Sequence, residues 1–578
     1  MATMGVAVAL GNRSRVGFMR IMIYLSSPLE PCIMRTISAG LLVLGFFVTA
    51  AWSDPPKQAL HKEKDNKADN TENKRKPKFT ISKETTYLTE PRDKDGYIDY
   101  AAALNKRLRE GVTPATNANV LLWQALGPRP DGKKMPDEFF ELMGIKPPPE
   151  HGEYFVDLYR YIKEHAKVDG YESRKEILDQ IDRARQRPWT PQQYPHVAAW
   201  LKLNEKPLAL VLEATKRPDY FSPLVRRKTD KGSSGLLGAL WAPGMQEFRE
   251  IMKALVGRAM LRVAQGRAGD AWQDLLACHR LGRLVGRGPT LIDGLVGIAI
   301  DTATDEADLA FLGSANLSTK QIQDCLHDLQ KLPPVPEMAA KADVFERFLF
   351  LDTVMIAARR GPEYVEAFSG FGWPKEPDPM AKKVWGTIDW DPTLRSGNQW
   401  YNRLAAAMRV KDRAAREKQL DKLENELKTL KANLADPSGL GKAAVTKEPA
   451  KSLGKALGQA LGDILVAMVF PAARRMQEAA DRAEQVQNNL HLAFALAAYQ
   501  RDHGSYPKKL DALAPKYLAK IPQDMFSGKP LIYRQSESGY LLYSVGVNGK
   551  DEDGRGNEDA PRGDDLSVRM PLPKLHKK

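Results

Sequence analysis

The chain has 578 residues, of which 43% are hydrophobic, and its formal net charge is +14 at pH 7. This composition is globular, and the length predicts several domains because a single hydrophobic core stops growing at about 250 to 300 residues. The basic residues concentrate in the tails and in one charged helix, not in a patch interleaved with aromatic residues. This distribution argues against nucleic-acid binding, since phosphate recognition needs basic side chains clustered on one face.

Residues 1–53 have the features of a secretory signal: a charged start at Met34, an apolar run over 37–48, and small residues before a cleavage point after Ser53. The simplest account of the extension before Met34 is that translation starts at Met34. A retained signal anchor is the alternative, although the apolar run is shorter than the roughly 20 residues that span a bilayer. The sequence therefore predicts an exported protein, periplasmic or extracellular.

Three regions follow the signal. Residues 54–78 are rich in Lys, Asp, Asn and Pro and poor in large apolar residues, which predicts a disordered linker. Residues 79–149 predict a small N-terminal helical region, which three prolines end. Residues 150–360 predict an α-helical domain whose clearest helices, 248–263 and 270–285, resemble one tetratricopeptide-type hairpin. We find no fixed repeat period, so we expect an irregular helical body.

The turn at 93–96, Asp-Lys-Asp-Gly, contains half of a calcium loop. An EF-hand needs an acid at its first position and a Glu at its twelfth, and Pro91 and Ala102 stand there. We interpret the segment as a turn, with Gly96 at positive φ, that caps the next helix.

The central helices carry the carboxylates that a hydrolase would need. Asp301, Asp305 and Asp308 share one helix face, and so do Asp343 and Glu346. A solvated helix stripe has the same spacing, and we interpret both groups in that way.

The cysteines give no catalytic signature. Cys278 and His279 are adjacent on a helix, so their side chains diverge by about 100° and do not form a nucleophile and base. In an exported protein Cys278 and Cys325 are compatible with one disulfide. Their helical contexts are equally compatible with two buried thiols.

Residues 361–400 predict a loop region rich in Gly, Pro and aromatic residues, and 436–457 predict a linker. Between them, 401–435 predict a charged helix with a short leucine seam. About two heptads leave both an intramolecular helical hairpin and a dimer open. The seam consists of Leu420, Leu423, Leu427, Leu430 and Leu434.

The C-terminal region, 458–571, begins with an apolar run that Asp463 interrupts and that is too short to cross a membrane. A polar amphipathic helix follows, and then the segments AYQRDHGSYPKKLDALAPKYL, DMFSGKPLIYR, GYLLYSVGVNGKDEDG and GDDLSVRMP. These segments resemble the globular head of the major pseudopilin of type II secretion. The resemblance implies an exported domain made of a long helix and a small antiparallel β-meander. Met525 replaces a proline of the family motif and Ser527 is an insertion. A Gly-Phe type processing site is lacking, which argues against an ordinary filament subunit.

The resemblance also implies a calcium ion between a turn and a late pair of aspartates. Calcium takes six to eight hard oxygen ligands. A solvated acidic loop, flexible because of its glycines, is the alternative. The implied ligands are Asn548, Asp551, Asp553, Asp564 and Asp565.

These patterns predict a mainly α protein with a C-terminal α+β domain. We expect an exported, non-enzymatic envelope or secretion-associated protein, whose helical body binds an envelope or secretion-system partner. Its mild positive charge is compatible with peripheral association with an anionic membrane. The alternative is an exported hydrolase acting on envelope polymers through carboxylates on the central helices. A deep pocket within 153–400 lined by buried carboxylates would favour the hydrolase, and a broad groove would favour the binding protein.

Overall fold

The computed structural model describes residues 78–130, 132–226, 228–229, 232–233, 244–361, 385–434 and 449–574. The predicted signal at 1–53, the predicted linker at 54–78 except its last residue, and parts of 361–400 and 436–457 lie outside the described residues.

The described chain is mainly helical and carries a small antiparallel sheet near its C-terminus, which confirms the predicted fold class. The helices are α1 Tyr100–Arg109, α2 Ala118–Leu126, α3 Asp137–Leu142, α4 Leu158–Glu164, α5 Tyr171–Ala184, α6 Pro195–Leu203, α7 Glu205–Ala214, α8 Met245–Ala264, α9 Ala268–Val285, α10 Leu291–Ser314, α11 Thr319–Gln330, α12 Met338–Lys341, α13 Arg347–Arg360, α14 Trp390–Met408, α15 Arg413–Leu434 and α16 Pro449–His503. The strands are β1 Lys228–Thr229, β2 Gly232–Ser233, β3 Ile532–Gln535, β4 Tyr540–Ser544 and β5 Leu566–Met570.

The Asp-rich turn before α1 is a helix-capping turn, as predicted. Asp93 Oδ1 accepts the backbone N–H of Asp95 at 3.0 Å, and Gly96 has a φ of +83°. Asp99 caps α1 by accepting the N–H of Ala102 at 2.9 Å. The side-chain oxygens of the turn therefore satisfy backbone donors at the helix start.

Helices α8 and α9 form the predicted hairpin, and α10 crosses α9 at close range. A Cβ on Gly282 would lie 2.8 Å from the carbonyl oxygen of Gly297, and one on Gly297 would lie 2.5 Å from the carbonyl oxygen of Gly282. The two backbones meet there because neither glycine has a side chain. This contact brings His279 and Arg283 of α9 within reach of the α10 side chains.

Two predicted loop regions are partly helical. Residues 390–400 of the predicted loop belong to α14, which Asp389 caps by accepting the N–H of Asp391. Residues 449–457 of the predicted linker belong to α16. The sequence suggested a linker because this segment is rich in glycine. Gly454, Gly458 and Gly462 recur every four residues, however, and so lie on one face of a helix.

The glycine face of α16 lets the helix pack directly on the chain that leads into α14. A Cβ on Gly462 would lie 2.9 Å from the carbonyl oxygen of Thr393, and Cβ atoms on Gly454 and Gly458 would collide with backbone oxygens of Thr387 and Asp389. These glycines therefore mark a close helix contact and not a linker.

The leucine seam of α15 is used within the chain. Leu420, Leu423 and Leu427 are buried, and they pack in a core that includes Val466 and Phe470 of α16. The seam therefore contributes to an intramolecular helical packing.

Helix α16 has 55 residues and contains Pro471. Within the described residues, the helix Ser452–His503 is the one segment whose length and composition would allow a membrane crossing, and 35% of its most apolar window is buried. This test rests on length and composition only, and the helix extends on both sides of the short apolar run considered in the sequence. Asp463 is buried in this part of α16 and accepts hydrogen bonds from Ser396 Oγ at 2.5 Å and Trp400 Nε1 at 3.1 Å.

The C-terminal strands form an antiparallel meander in the order β3-β4-β5. It packs on the second half of α16, where Asn489 Nδ2 donates to the carbonyl oxygen of Leu566 at 2.8 Å. Leu542 of β4 and Val568 of β5 are paired in the sheet and buried.

The meander and the helical body share one hydrophobic core. Leu542 and Val568 belong to the same buried cluster as residues of α8, α9, α10 and α11. Trp272 of α9 and Phe494 of α16 lie 5.8 Å apart between ring centroids. The predicted limits between the helical domain and the C-terminal domain therefore do not coincide with a gap in packing.

Candidate functional site

The loop between β4 and β5 carries a carboxylate cluster at its end. Glu552, Asp564 and Asp565 each place one carboxylate oxygen within 4.8 Å of the others. Asp565 Oδ2 accepts the backbone N–H groups of Glu552 at 3.1 Å and Gly554 at 2.8 Å, and Glu552 Oε2 accepts the N–H of Asp564 at 2.6 Å. These bonds fold the loop back on itself.

Three of the five predicted calcium ligands lie in or beside this cluster. Asp564 and Asp565 belong to it, and Asn548 Nδ2 donates to Glu552 Oε1 at 3.2 Å. The other two predicted ligands face elsewhere. Asp551 accepts the Tyr543 hydroxyl at 2.9 Å, and Asp553 pairs with Arg534 at 3.1 Å.

Glu552 is the residue that sequence reasoning missed. It stands between Asp551 and Asp553, and in a tightly turned loop successive side chains point in different directions. The middle residue consequently faces Asp564 and Asp565 while its neighbours turn to the sheet. The sequence does show an acidic residue at position 552, but the expected ligand pattern consists of aspartates and an asparagine and does not include this glutamate.

The cluster contains carboxylate oxygens without a hydrogen-bond donor. Asp564 Oδ1 and Asp565 Oδ1 are buried and have no hydrogen-bond partner among the described residues. Burial is the main cause that raises the pKa of Asp565. Arg482 of α16 approaches Asp564 at 3.7 Å and supplies one positive charge. The remaining oxygens are suited to a hard cation such as calcium.

A second cluster lies at the junction of α9, α10 and α16. His279 Nδ1 lies 2.7 Å from Asp301 Oδ1, and His279 Nε2 lies 2.8 Å from Asp308 Oδ2. Asp301 Oδ2 is paired with Arg283 at 2.9 Å and accepts a hydrogen bond from Gln487 Nε2 at 2.9 Å. The imidazole is therefore held between two carboxylates of one helix.

The interpretation of these α10 aspartates as a solvated stripe was wrong. Asp301 and Asp305 are 2% exposed, and Asp308 is 0% exposed. Helix α10 is covered by α8, α9 and α16, so its polar face is turned inward. The sequence spacing shows that the three side chains share a helix face, but it does not show whether that face is exposed to solvent.

The electrostatics of this cluster follow from its burial. Burial and the charge of Asp301 raise the pKa of Asp305 well above its usual range. Burial opposes the charged form of His279, yet Asp308 and Asp301 raise its pKa overall. Burial and the positive charges of His279 and Arg283 lower the pKa of His491, on α16, to about 4.

The two carboxylates of the second predicted group, Asp343 and Glu346, have different surroundings. Asp343 binds Arg347, which is fully buried, and Arg409 at 2.7 Å. Burial raises the pKa of Glu346 to about 7, and burial lowers the pKa of Lys341 to about 8. The segment Ala342–Glu346, which contains both carboxylates, is π-helical.

Cys278 and Cys325 are free, buried thiols. Cys278 faces α8, with its sulfur 3.9 Å from the carbonyl oxygen of Met252, while His279 faces α10. The predicted divergence of Cys278 and His279 is thus confirmed.

A surface groove of about 890 Å³ lies between α1, α3 and the segment 221–226. Its walls are mixed apolar and charged, and its carboxylates are not buried. Four basic residues face it: Lys106, Arg107, Arg109 and Arg226.

The chain thus combines a mainly α body with a C-terminal α+β unit, and among the described residues it has two groups of side chains of the types that can ligate a metal ion. Comparison with known proteins found no matching family model, no matching curated protein and no matching solved structure.

Proposed function

We propose that this protein is exported and acts as a non-enzymatic envelope or secretion-associated protein. Its helical body binds a partner, and its C-terminal domain, 458–571, is a head similar to that of the major pseudopilin. The observation that supports this proposal is the arrangement of the unit. A long helix with an internal Pro471 carries a three-stranded meander on its second half, and an acidic loop joins the last two strands.

The head and the body form one working unit in this proposal. The first half of α16 packs on α14 and α15, and its second half packs on α10, α11 and the meander. A partner bound to the body is consequently held at a fixed position relative to the head.

The groove between α1, α3 and 221–226 is the proposed partner site. It is broad and lies at the surface, and such a shape favours a binding protein over an enzyme. It is lined by four basic residues and by three acidic ones, Asp99, Glu110 and Glu138, so it complements a surface of mixed charge on an envelope or secretion-system protein.

The head is stabilised by calcium in this proposal. The ligands would be Glu552, Asp564 and Asp565, with Asn548 close by and backbone oxygens or water completing the shell. The orphaned oxygens of Asp564 and Asp565 support the assignment, since a buried carboxylate oxygen without a donor is costly unless a cation satisfies it.

One observation favours the alternative of an exported hydrolase: His279 lies with Asp305 and Asp308 on central helices, a set of groups capable of acid–base chemistry. All three residues are 2% exposed or less, so a polymer substrate does not reach them in this conformation. The binding function is therefore the better supported of the two.

The experiment that tests export is identification of the mature N-terminus. The full chain is expressed with a C-terminal tag, and the protein from each cell fraction is sequenced. We expect a periplasmic or secreted chain that begins at Asp54, and a matched variant lacking residues 34–53 should stay in the cytoplasm. A membrane-bound chain that starts at Met34 would indicate a retained anchor. A cytoplasmic chain with an intact N-terminus would contradict the proposal.

A further inference from the structure

The buried cluster of α9 and α10 contains carboxylate oxygens that no protein group in the described part of the chain binds. Both carboxylate oxygens of Asp305 and the Oδ1 atom of Asp308 are buried without a hydrogen-bond partner among the described residues. Asp305 is 2% exposed, so water does not satisfy it from the surface. An uncompensated buried carboxylate is strongly unfavourable, and proteins that retain one normally pair it or coordinate a metal with it.

The candidate metal ligands around Asp305 lie close together. His279, Asp305 and Asp308 each place one ligand atom within 4.8 Å of the others. His279 Nε2 and Asp308 Oδ2 are 2.8 Å apart, close to the roughly 3 Å that separates neighbouring ligands on a metal with bonds of about 2.1 Å. A cation bound by these atoms and by Asp305 would take the place of the hydrogen bond between His279 and Asp308.

The surroundings of His279 orient it as a metal ligand. Its Nδ1 atom lies 2.7 Å from Asp301 Oδ1 and its Nε2 atom lies 2.8 Å from Asp308 Oδ2. A metal bound to Nε2 would therefore replace the proton between His279 and Asp308, and that proton would be released to solvent. Asp301 is itself fixed by Arg283 and by Gln487 of α16. Metal-bound histidines usually donate their other ring N–H to a carboxylate in this way, which fixes the tautomer and the ring orientation.

We infer that His279, Asp305 and Asp308 bind a divalent first-row transition metal, with zinc as the first candidate. One imidazole nitrogen suits zinc, iron or manganese better than calcium or magnesium, and two carboxylates complete a three-residue set. Asp301 is a positioning residue for His279. The metal would be buried where α9, α10 and α16 meet. It is therefore a structural ion that binds as these helices pack.

The test is metal content of the purified chain, measured by mass spectrometry after dialysis, and again after chelation and reloading with Zn²⁺. We expect about one equivalent of zinc per chain beyond any calcium, since a buried site formed on folding retains its ion through dialysis. The chelated protein should gain thermal stability on addition of Zn²⁺, since binding to the folded state alone raises the melting temperature.

Three variants distinguish a zinc site from a purely ionic cluster and from the acidic loop. Asp305→Asn keeps the side-chain shape and should abolish zinc retention. Asp301→Asn should weaken zinc affinity by about tenfold to a hundredfold, the usual cost of losing an orienting carboxylate. Asp565→Asn alters the acidic loop, so its zinc content should match that of the unsubstituted chain.

A purely ionic cluster gives opposite results. In that case the folded chain would hold no zinc and show no Zn²⁺-dependent shift in melting, and Asp305→Asn would leave stability unchanged or raise it. That outcome overturns the site. Because the unsubstituted chain alone provides the metal content and the melting shift, the test does not depend on the variants folding. Export and partner binding are measured independently of zinc, so their failure would not affect this result.

Discussion

The carboxylates of the acidic loop differ in what their oxygens contact. Asp551 is bound to the Tyr543 hydroxyl, whereas Asp565 holds two backbone N–H groups on one oxygen and leaves the other oxygen buried without a donor. The first carboxylate is satisfied within the protein, and the second needs a cation or water. Calcium binding should therefore depend on Asp565 and not on Asp551.

This difference gives a paired prediction. Calcium should raise the melting temperature of the unsubstituted chain. A concentration of 100 times the Kd corresponds to about 2.7 kcal/mol of stabilisation. Asp565→Asn should abolish the calcium-dependent increase, and the matched variant Asp551→Asn should keep it. Differential scanning calorimetry with calcium and with a chelator measures both. Equal loss in the two variants would instead support the five-residue set expected from the sequence, and no calcium effect in any chain would remove the calcium site.

The sequence predicts Asp564, Asp565 and Asn548 as neighbours from the order of a turn and a late aspartate pair, and the structure brings these three residues together. It did not identify Glu552, since the direction of a side chain in a folded loop depends on the loop's own hydrogen bonds. The same limit applies to Asp305. Helical spacing places it beside Asp301 and Asp308, but its burial comes from packing of α8, α9 and α16, which periodicity along α10 does not contain.

Glycines allow two close helix contacts, and each contact fixes a different part of the fold. Gly282 and Gly297 let α9 meet α10, where the buried His279 cluster lies. Gly454, Gly458 and Gly462 let α16 lie on the start of α14. The periodicity of the apolar residues predicts the α8–α9 hairpin correctly. The glycine-rich start of α16 has the composition of a linker, because glycine is common in loops. That these glycines permit a close helix contact is visible only once the helices are packed.

Substitution at Gly458 tests the contact between α16 and α14. Gly458→Ala places a methyl group against the backbone oxygen of Asp389, which has no flexible side chain to move aside. We expect a loss of about 1–3 kcal/mol in the free energy of unfolding, the usual cost of overpacking.

The matched control is Gly269→Ala in α9, where an added Cβ meets nothing within 4 Å. Alanine at an exposed helical position should stabilise by about 0.5–1 kcal/mol. Urea unfolding of both variants gives the comparison. A stabilisation by Gly458→Ala equal to that of the control would mean that α16 does not contact α14 so closely.

The two largest hydrophobic cores among the described residues each combine helices that are far apart in the sequence. One core joins α8 to α11 with the second half of α16 and the meander, and the other joins α1, α13, α14 and α15 with the first half of α16. Helix α16 belongs to both. Local sequence patterns predict a head attached to a body by a linker, whereas packing makes the last helix part of the body.

This shared packing predicts that the meander and the helical body unfold together. Leu542→Ala removes a fully buried side chain from β4 and should cost about 2–5 kcal/mol. If the core is one cooperative unit, amide hydrogen exchange in α9 should accelerate by the same factor as exchange in β4 and β5. Leu420→Ala, an equally buried leucine in the second core, is the matched control and should accelerate exchange in α14 and α15 first. Faster exchange in β4 and β5 with unchanged α9 would show instead that the head unfolds by itself, and the rigid link between head and partner site would then be lost.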